Sequence, residues 1–296
     1  MSEKFDIPFK SDLVPTVLEP TAQIQFSCHK GISCFNECCK HADIQLTPYD
    51  IIRLKDNRGL SATEFLKQHT VPFEMDKDGL PGVKLRTDDS GACLFVTEEG
   101  CSVYKDRPTA CRYYPVGHMA VHMAGATEDE TRFFLVKEEH CKGHEEDRSI
   151  SVNDYRKEQE VDVYDQLNRD YLQLILKKKS AGPTIGRPSD TSLQFFFMCA
   201  YDLDRLRRYV LSDAFRVSYD LEDSFFETME KEDLALMRFG AQLLRQVLFG
   251  EQTIPEKAGV AEKRMQERKE ILEMRRKAEI ELHEQKKEQE MKDAMS

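Results

Sequence analysis

"CHKGISCFNECCK", Cys28–Lys40, places four cysteines in thirteen positions, two of them adjacent. A small core residue gains nothing from neighbours of its own kind, so packing does not account for the concentration. Three chemistries do: a disulfide framework, a redox pair or a metal centre.

Beyond this stretch the pattern continues, and eight of the nine cysteines fall in one region: Cys28, Cys34, Cys38, Cys39, Cys93, Cys101, Cys111 and Cys141. Zinc sites and iron–sulfur clusters commonly take four thiolates, so eight supply two full centres. Cys28, Cys34 and Cys38 are near enough in sequence to fold around one. In extended backbone, neighbouring side chains point to opposite sides. That assigns Cys38 and Cys39 to different centres, the second completed by the later cysteines. Gly100 before Cys101 permits a tight turn that aims amide N–H groups at sulfur. Pro108 and Pro115 bracket Cys111, and Lys30, Lys40, Arg107, Arg112 and Lys142 bring cations that favour thiolates. A structural zinc site contributes roughly 10–16 kcal/mol, comparable to the stability of a whole domain.

The competing chemistries are weaker. Adjacent cysteines form a strained disulfide poorly, and no Cys-x-x-Cys occurs. The N-terminus lacks an apolar signal segment, and no stretch reaches the roughly 20 apolar residues of a membrane span. A cytoplasmic location is therefore expected, where disulfide frameworks are rare. Cys199, in "FFFMCAY", reads as a buried structural thiol. His29, His41, His118, His122, His140 and His144 are alternative ligands, with exposed or hydrogen-bonded side chains as the default. His118 and His122 would share a face if they lay on a helix. No His-x-x-x-His with an intervening catalytic Glu appears, which argues against a zincin-type hydrolase.

The 296 residues carry a formal charge of −11. That balance argues against nucleic acid as a partner and against an anionic membrane surface. The expected fold class is mainly α: an irregular cysteine-rich metal-binding domain with short helices and little sheet, then a helical region and a charged C-terminal helix. Residues 1–25 read as an extended N-terminal segment and 26–150 as the metal-binding domain. Within it, Thr47 or Asp50 caps a helix, Ser61 and Glu64 make a capping box, and "GVKLRT" alternates like a strand. Residues 151–252 are helical. Val161, Tyr164, Leu167, Tyr171, Leu174 and Ile175 fall at helical spacing, and further helices end near Gly250. "SAGPTIGRPSDTS" reads as a loop. Residues 253–296 balance acids and bases without aromatics, as in a solvated helix, a disordered tail or a coiled coil that meets a protein partner.

"CHKGISCFNECCKHADIQLTPYDIIRL", "GACLFVTEEGCSVYKDRPTACRYYPV" and "HCKG" together resemble the YkgJ-like cysteine-cluster family, proposed to chelate zinc or iron through a CxxCxxCC-type motif. The resemblance implies metal ligation by the eight cysteines, with Arg107, Pro108, Arg112 and Pro115 as companions. The first spacings here are five and three residues where the motif has two and two. A relative with similar clusters, the flagellin lysine N-methylase, is thought to use an iron–sulfur centre, but no Gly-x-Gly-x-x-Gly appears here. Two functions emerge. The first is a metal-binding protein holding zinc or iron, as ions or as an iron–sulfur cluster. The second is an iron–sulfur-dependent group transferase or redox enzyme. Closed four-thiolate sites leave no open coordination position, which favours binding. Arg112, Tyr113 and Tyr114 would line a pocket beside an open site, although packing is their plainer role.

Overall fold

The computed structural model describes residues 13–40, 43–76, 79–121, 130–180 and 189–260, with positions 262, 266, 269 and 273. His41, His122, most of the 180–192 loop and nearly all of the charged tail lie outside the described residues.

Among the described residues the strands are β1 (Leu13–Leu18), β2 (Gln23–Gln25), β3 (Thr70–Glu74), β4 (Pro81–Leu85), β5 (Val96–Thr97), β6 (Gly100–Cys101), β7 (Val116–Val121), β8 (Glu130–Val136) and β9 (Ser149–Ser151). Interleaved with them are helices α1 (Pro48–Arg58), α2 (Ala62–His69) and α3 (Thr109–Tyr113). After β9 the described chain is helical: α4 (Val152–Glu158), α5 (Val161–Ser180), α6 (Asp190–Ala200), α7 (Leu203–Val210), α8 (Asp213–Ser218), α9 (Asp223–Lys231) and α10 (Asp233–Phe249).

The protein is helix-rich, but its cysteine region holds more sheet than composition indicates. All nine described strands precede α4, in four small antiparallel sheets. Most are two to six residues long. The strand expected at "GVKLRT" is β4, paired with β3 through Thr70↔Leu85 and Glu74↔Pro81. Strands this short carry too little alternation to be read from sequence.

The local signals around the helices hold. Thr47 caps α1 and exchanges hydrogen bonds with Asp50, and Ser61 does the same with Glu64 at α2. The helical spacing read from Val161 is α5, and Glu160, with a left-handed φ of 56°, separates it from α4. Gly250 ends α10 with φ 69°.

Two buried clusters result. The larger takes Leu46, Ile51, Leu54, Phe65, Leu85 and Phe95 from the cysteine region together with Tyr164, Leu206, Leu236 and Leu243 from the helices. Helices α1 and α2 thus share one core with α5, α7 and α10. Lys55 on α1 and Arg207 on α7 both bind Asp233 at the start of α10. The smaller cluster joins Ile24, Phe26, Tyr113, Val116, Phe133, Val152, Tyr155 and Val161. No helix among the described residues is long and apolar enough to cross a membrane.

Candidate metal centre

Backbone pairing brings the thiols together. Strand β2 lies antiparallel to β9, with Gln23 opposite Ser151 and Gln25 opposite Ser149, so the two ends of the cysteine region are joined. The pairing runs on past the strands: Phe26 N–H donates to the Arg148 carbonyl (2.9 Å) and Ser27 N–H to the Gly143 carbonyl (3.0 Å). Cys28 comes directly after this ladder and Cys141 directly before it, which places them side by side although most of the region separates them. Lys142 N–H donates to Cys34 Sγ at 3.1 Å, adding Cys34 to the same side.

The other thiols assemble around a hairpin. Strands β5 and β6 pair Val96 with Cys101. Gly100, with φ +115°, makes the turn that this pairing needs, and an added Cβ would meet the Phe35 ring at 3.2 Å. Cys93 N–H donates to the Cys39 carbonyl at 2.8 Å, and the Asn36 side chain donates to the Thr97 carbonyl at 2.9 Å. Those bonds dock the first cysteine loop on the hairpin. Cys111 sits on α3, whose first turn is held by the buried Asp50: its Oδ1 accepts from both Thr109 N–H and Thr109 Oγ1, each at 2.8 Å. The same carboxylate closes the α1 capping box, so a single side chain fixes two helix starts and the place of Cys111.

The thiols' mutual electrostatic influence shows which of them lie near one another. Burial pushes Cys28 up to about 11, and the nearby Cys38, Cys34 and Cys141 add to the rise. Burial likewise raises Cys111, reinforced by Cys93 and Cys101. The Cys38 and Cys39 sulfurs lie 4.0 Å apart. Sharing a proton with Cys39 pulls Cys38 down to about 7, and the same contact drives Cys39 up, with Cys111 and Cys93 also beside it. Cys28 thus lies near Cys34, Cys38 and Cys141, and Cys111 near Cys93, Cys101 and Cys38. Cys38 also influences Cys93 and Cys101.

Residues 27–142 match the CxxCxxCC family model. Its description reads "Putative zinc- or iron-chelating domain". No curated protein and no solved structure matches the chain. The CxxCxxCC segment contains all eight clustered cysteines and stops short of α4.

The donor set of this segment fits a thiophilic cation. Clustered thiols raise one another's proton affinity, and a bound cation replaces those protons. Backbone N–H groups of Phe95 and Val96 face the Cys93 sulfur, and that of Val103 faces Cys101; each lowers its thiol's proton affinity against the larger effect of burial. The Lys142 amide on Cys34 is an outer donor of the kind that orients a ligating thiolate. The side chains are gathered but not closed. Among the described residues, no group of three or more His, Cys, Asp or Glu side chains stands in position to hold a metal ion.

Several sequence expectations are corrected here. Cys38 and Cys39 lie in a 3-10 turn, Glu37–Cys39, and not in extended backbone, so their sulfurs are neighbours and do not point apart. Of the five expected cations, Lys30 and Lys40 pair with Glu99 (2.7 Å) and Glu37 (2.5 Å). Arg107 eases Cys101 ionisation, and Lys142 lies near Cys34 and Cys141. Arg112 is buried, donating to the carbonyls of Arg107, Lys105 and Gln159 and to the Tyr164 hydroxyl. It clamps the Cys111 segment to the α4–α5 junction.

The histidines take other partners. His29 pairs with Glu146 at 3.2 Å, and His140 with Glu138 at 3.5 Å. His144 contacts the Val136 carbonyl at 3.1 Å. His118 belongs to β7, not to a helix, and stacks on Tyr113 at 4.0 Å. Cys199 is buried in the larger core, as its apolar setting indicates. Sequence reasoning gives Tyr114 a packing role; its hydroxyl is buried without a hydrogen-bond partner beside Cys141, a feature that no spacing rule exposes.

Proposed function

We propose that this protein is a metal-binding protein with two adjoining thiolate centres, one drawing on Cys28, Cys34, Cys38 and Cys141 and the other on Cys39, Cys93, Cys101 and Cys111. The observation that supports the reading is that thiols from separate segments of the CxxCxxCC match come near one another, Cys28 beside Cys34, Cys38 and Cys141, and Cys111 beside Cys93 and Cys101. Small rotations of exposed or half-buried side chains would close such sites. Four thiolates on each metal leave no open position, so the bound ions would brace the loops or carry electrons and would not activate a substrate.

The test is purification without oxygen or chelators, followed by zinc, iron and acid-labile sulfide analysis. Two metal centres per chain are expected. Sulfide with iron would assign clusters and favour the redox or group-transfer class, and zinc alone a scaffold. Folded protein with neither zinc nor iron would overturn the reading.

A further inference from the structure

Helix α3 has only five residues, Thr109–Tyr113, with Cys111 at its middle. So short a helix does not fix its own place; its flanking contacts do. Thr109 is tied to Asp50 on one side. The two residues after Cys111 reach the other way. Arg112, 1% exposed, donates from Nε to the Arg107 carbonyl at 3.1 Å and from Nη2 to that of Lys105. Its Nη1 donates to the Gln159 carbonyl at 2.8 Å, and Nη2 also to the Tyr164 hydroxyl at 3.0 Å. Tyr113 donates its hydroxyl proton to Asp165 Oδ2 at 2.5 Å. Tyr164 is itself buried, with the Arg112 guanidinium 4.2 Å over its ring and Tyr49 edge-on at 4.8 Å. Gln159, Tyr164 and Asp165 all lie beyond residue 142, where the CxxCxxCC match ends. Glu160, among them, holds a left-handed φ that residues with a Cβ seldom adopt, and the carbonyl just before it is the one Arg112 holds.

Resting on the two-centre reading above, we infer that the metal-holding unit extends past its family match into the α4–α5 junction, with Arg112 as the positioning residue that sets Cys111 for its centre. These hydrogen bonds go to carbonyls and a hydroxyl, so Arg112 acts through the backbone of α3. A planar guanidinium can bridge acceptors on two sides at once, which an ammonium on a flexible stem cannot. Outer groups that orient a metal ligand are worth about 10–100-fold in affinity.

Full-length wild type, Tyr164→Phe, Arg112→Lys and Cys111→Ser proteins are titrated with Co(II) without oxygen, reading the thiolate-to-metal charge-transfer band and competition by a chelator, while metal-free samples are melted. Cys111→Ser identifies the ion that depends on Cys111. Arg112→Lys keeps the charge and loses the bridge, and should weaken that ion about tenfold. Tyr164→Phe keeps the ring and removes one acceptor, and should weaken it about fivefold, the worth of one hydrogen bond. Both should shift the charge-transfer band of that ion and leave the other at wild-type affinity. A merely structural role would lower the metal-free melting temperature and leave affinities and spectra unchanged. That result in Tyr164→Phe would overturn the inference whether or not Arg112→Lys folds, as would equal weakening of both ions. Wild type that takes up no Co(II) would overturn the two-centre reading itself and this inference with it.

Discussion

Cys141 packs against the smaller core, with Cys28 and Cys34 beside it, whereas Cys93 and Cys101 pack against the larger core that the helices share. Cys28 is exposed, and Cys111 sits behind Asp50 at the junction of α1 and α3. The first group owes its convergence to strand pairing between β2 and β9, the second to a hairpin and to burial. A thiol placed by a few exposed backbone bonds can open at small cost, while one backed by a shared core opens only when that core does. On these grounds a metal held by the solvent-side thiols would be the exchangeable one and a metal held by the core-side thiols the structural one.

Removing one ligand from each side puts this contrast at greatest risk. Cys111→Ser should lose the core-side metal and destabilise the loaded protein by on the order of 5 kcal/mol, a fraction of what a structural zinc contributes. Cys28→Ser should lose the solvent-side metal with a much smaller drop in melting temperature. Equal losses of stability, measured by thermal melts of metal-loaded samples, would erase the distinction. Single replacements of Cys38 and Cys39 refine it: each should remove a different centre, read by metal content per chain, and loss of the same centre from both would merge the two sites.

Smaller effects come from the core that backs the second group. Gly240 on α10 lies against α6, where an added Cβ would come within 2.5 Å of the Cys199 carbonyl oxygen. Gly240→Ala should cost about 3 kcal/mol by overpacking, and chelators should then strip the core-side metal faster while the solvent-side rate stays constant. Asp233 binds Lys55 at 2.7 Å and also Arg207. Burial pushes its carboxyl up, but those two cations outweigh it and hold it below the usual carboxylate range. A depressed carboxylate stabilises the fold above its unfolded value and loses that contribution as pH falls through the folded one. Asp233→Asn should therefore cost about 2 kcal/mol at neutral pH. The difference from wild type, followed by denaturant unfolding, should hold steady down to about pH 4 and shrink below it.

The legible parts of the sequence are the local ones. Thr47, Ser61 and Gly250 act within one helical turn, and the structure uses them as their spacing indicates. The apolar face of α5, from Val161 to Ile175, is equally plain because a 3.6-residue period repeats along it. The strands are not legible. β5 and β6 are two residues each and acquire meaning only from Val96 facing Cys101. The geometry of Cys38 and Cys39 escapes local reading because their conformation is a 3-10 turn, docked against the Cys93 segment by the bond from Cys93 N–H to Cys39. The unpartnered hydroxyl of Tyr114 depends on Phe26, Tyr155 and Cys141 at once, and no run of neighbouring residues carries that information.

Residue order alone settles the supply of sulfur, its concentration in one part of the chain and the helical character of the described residues between Val152 and Phe249. Ligand chemistry and helix periodicity are properties of residue type and spacing. Which thiols stand together is a matter of tertiary structure. The pairing of Gln23 with Ser151 and the docking of Cys93 on Cys39 join segments remote in sequence. Their free energy comes from contacts that exist only once the chain has closed its long loops.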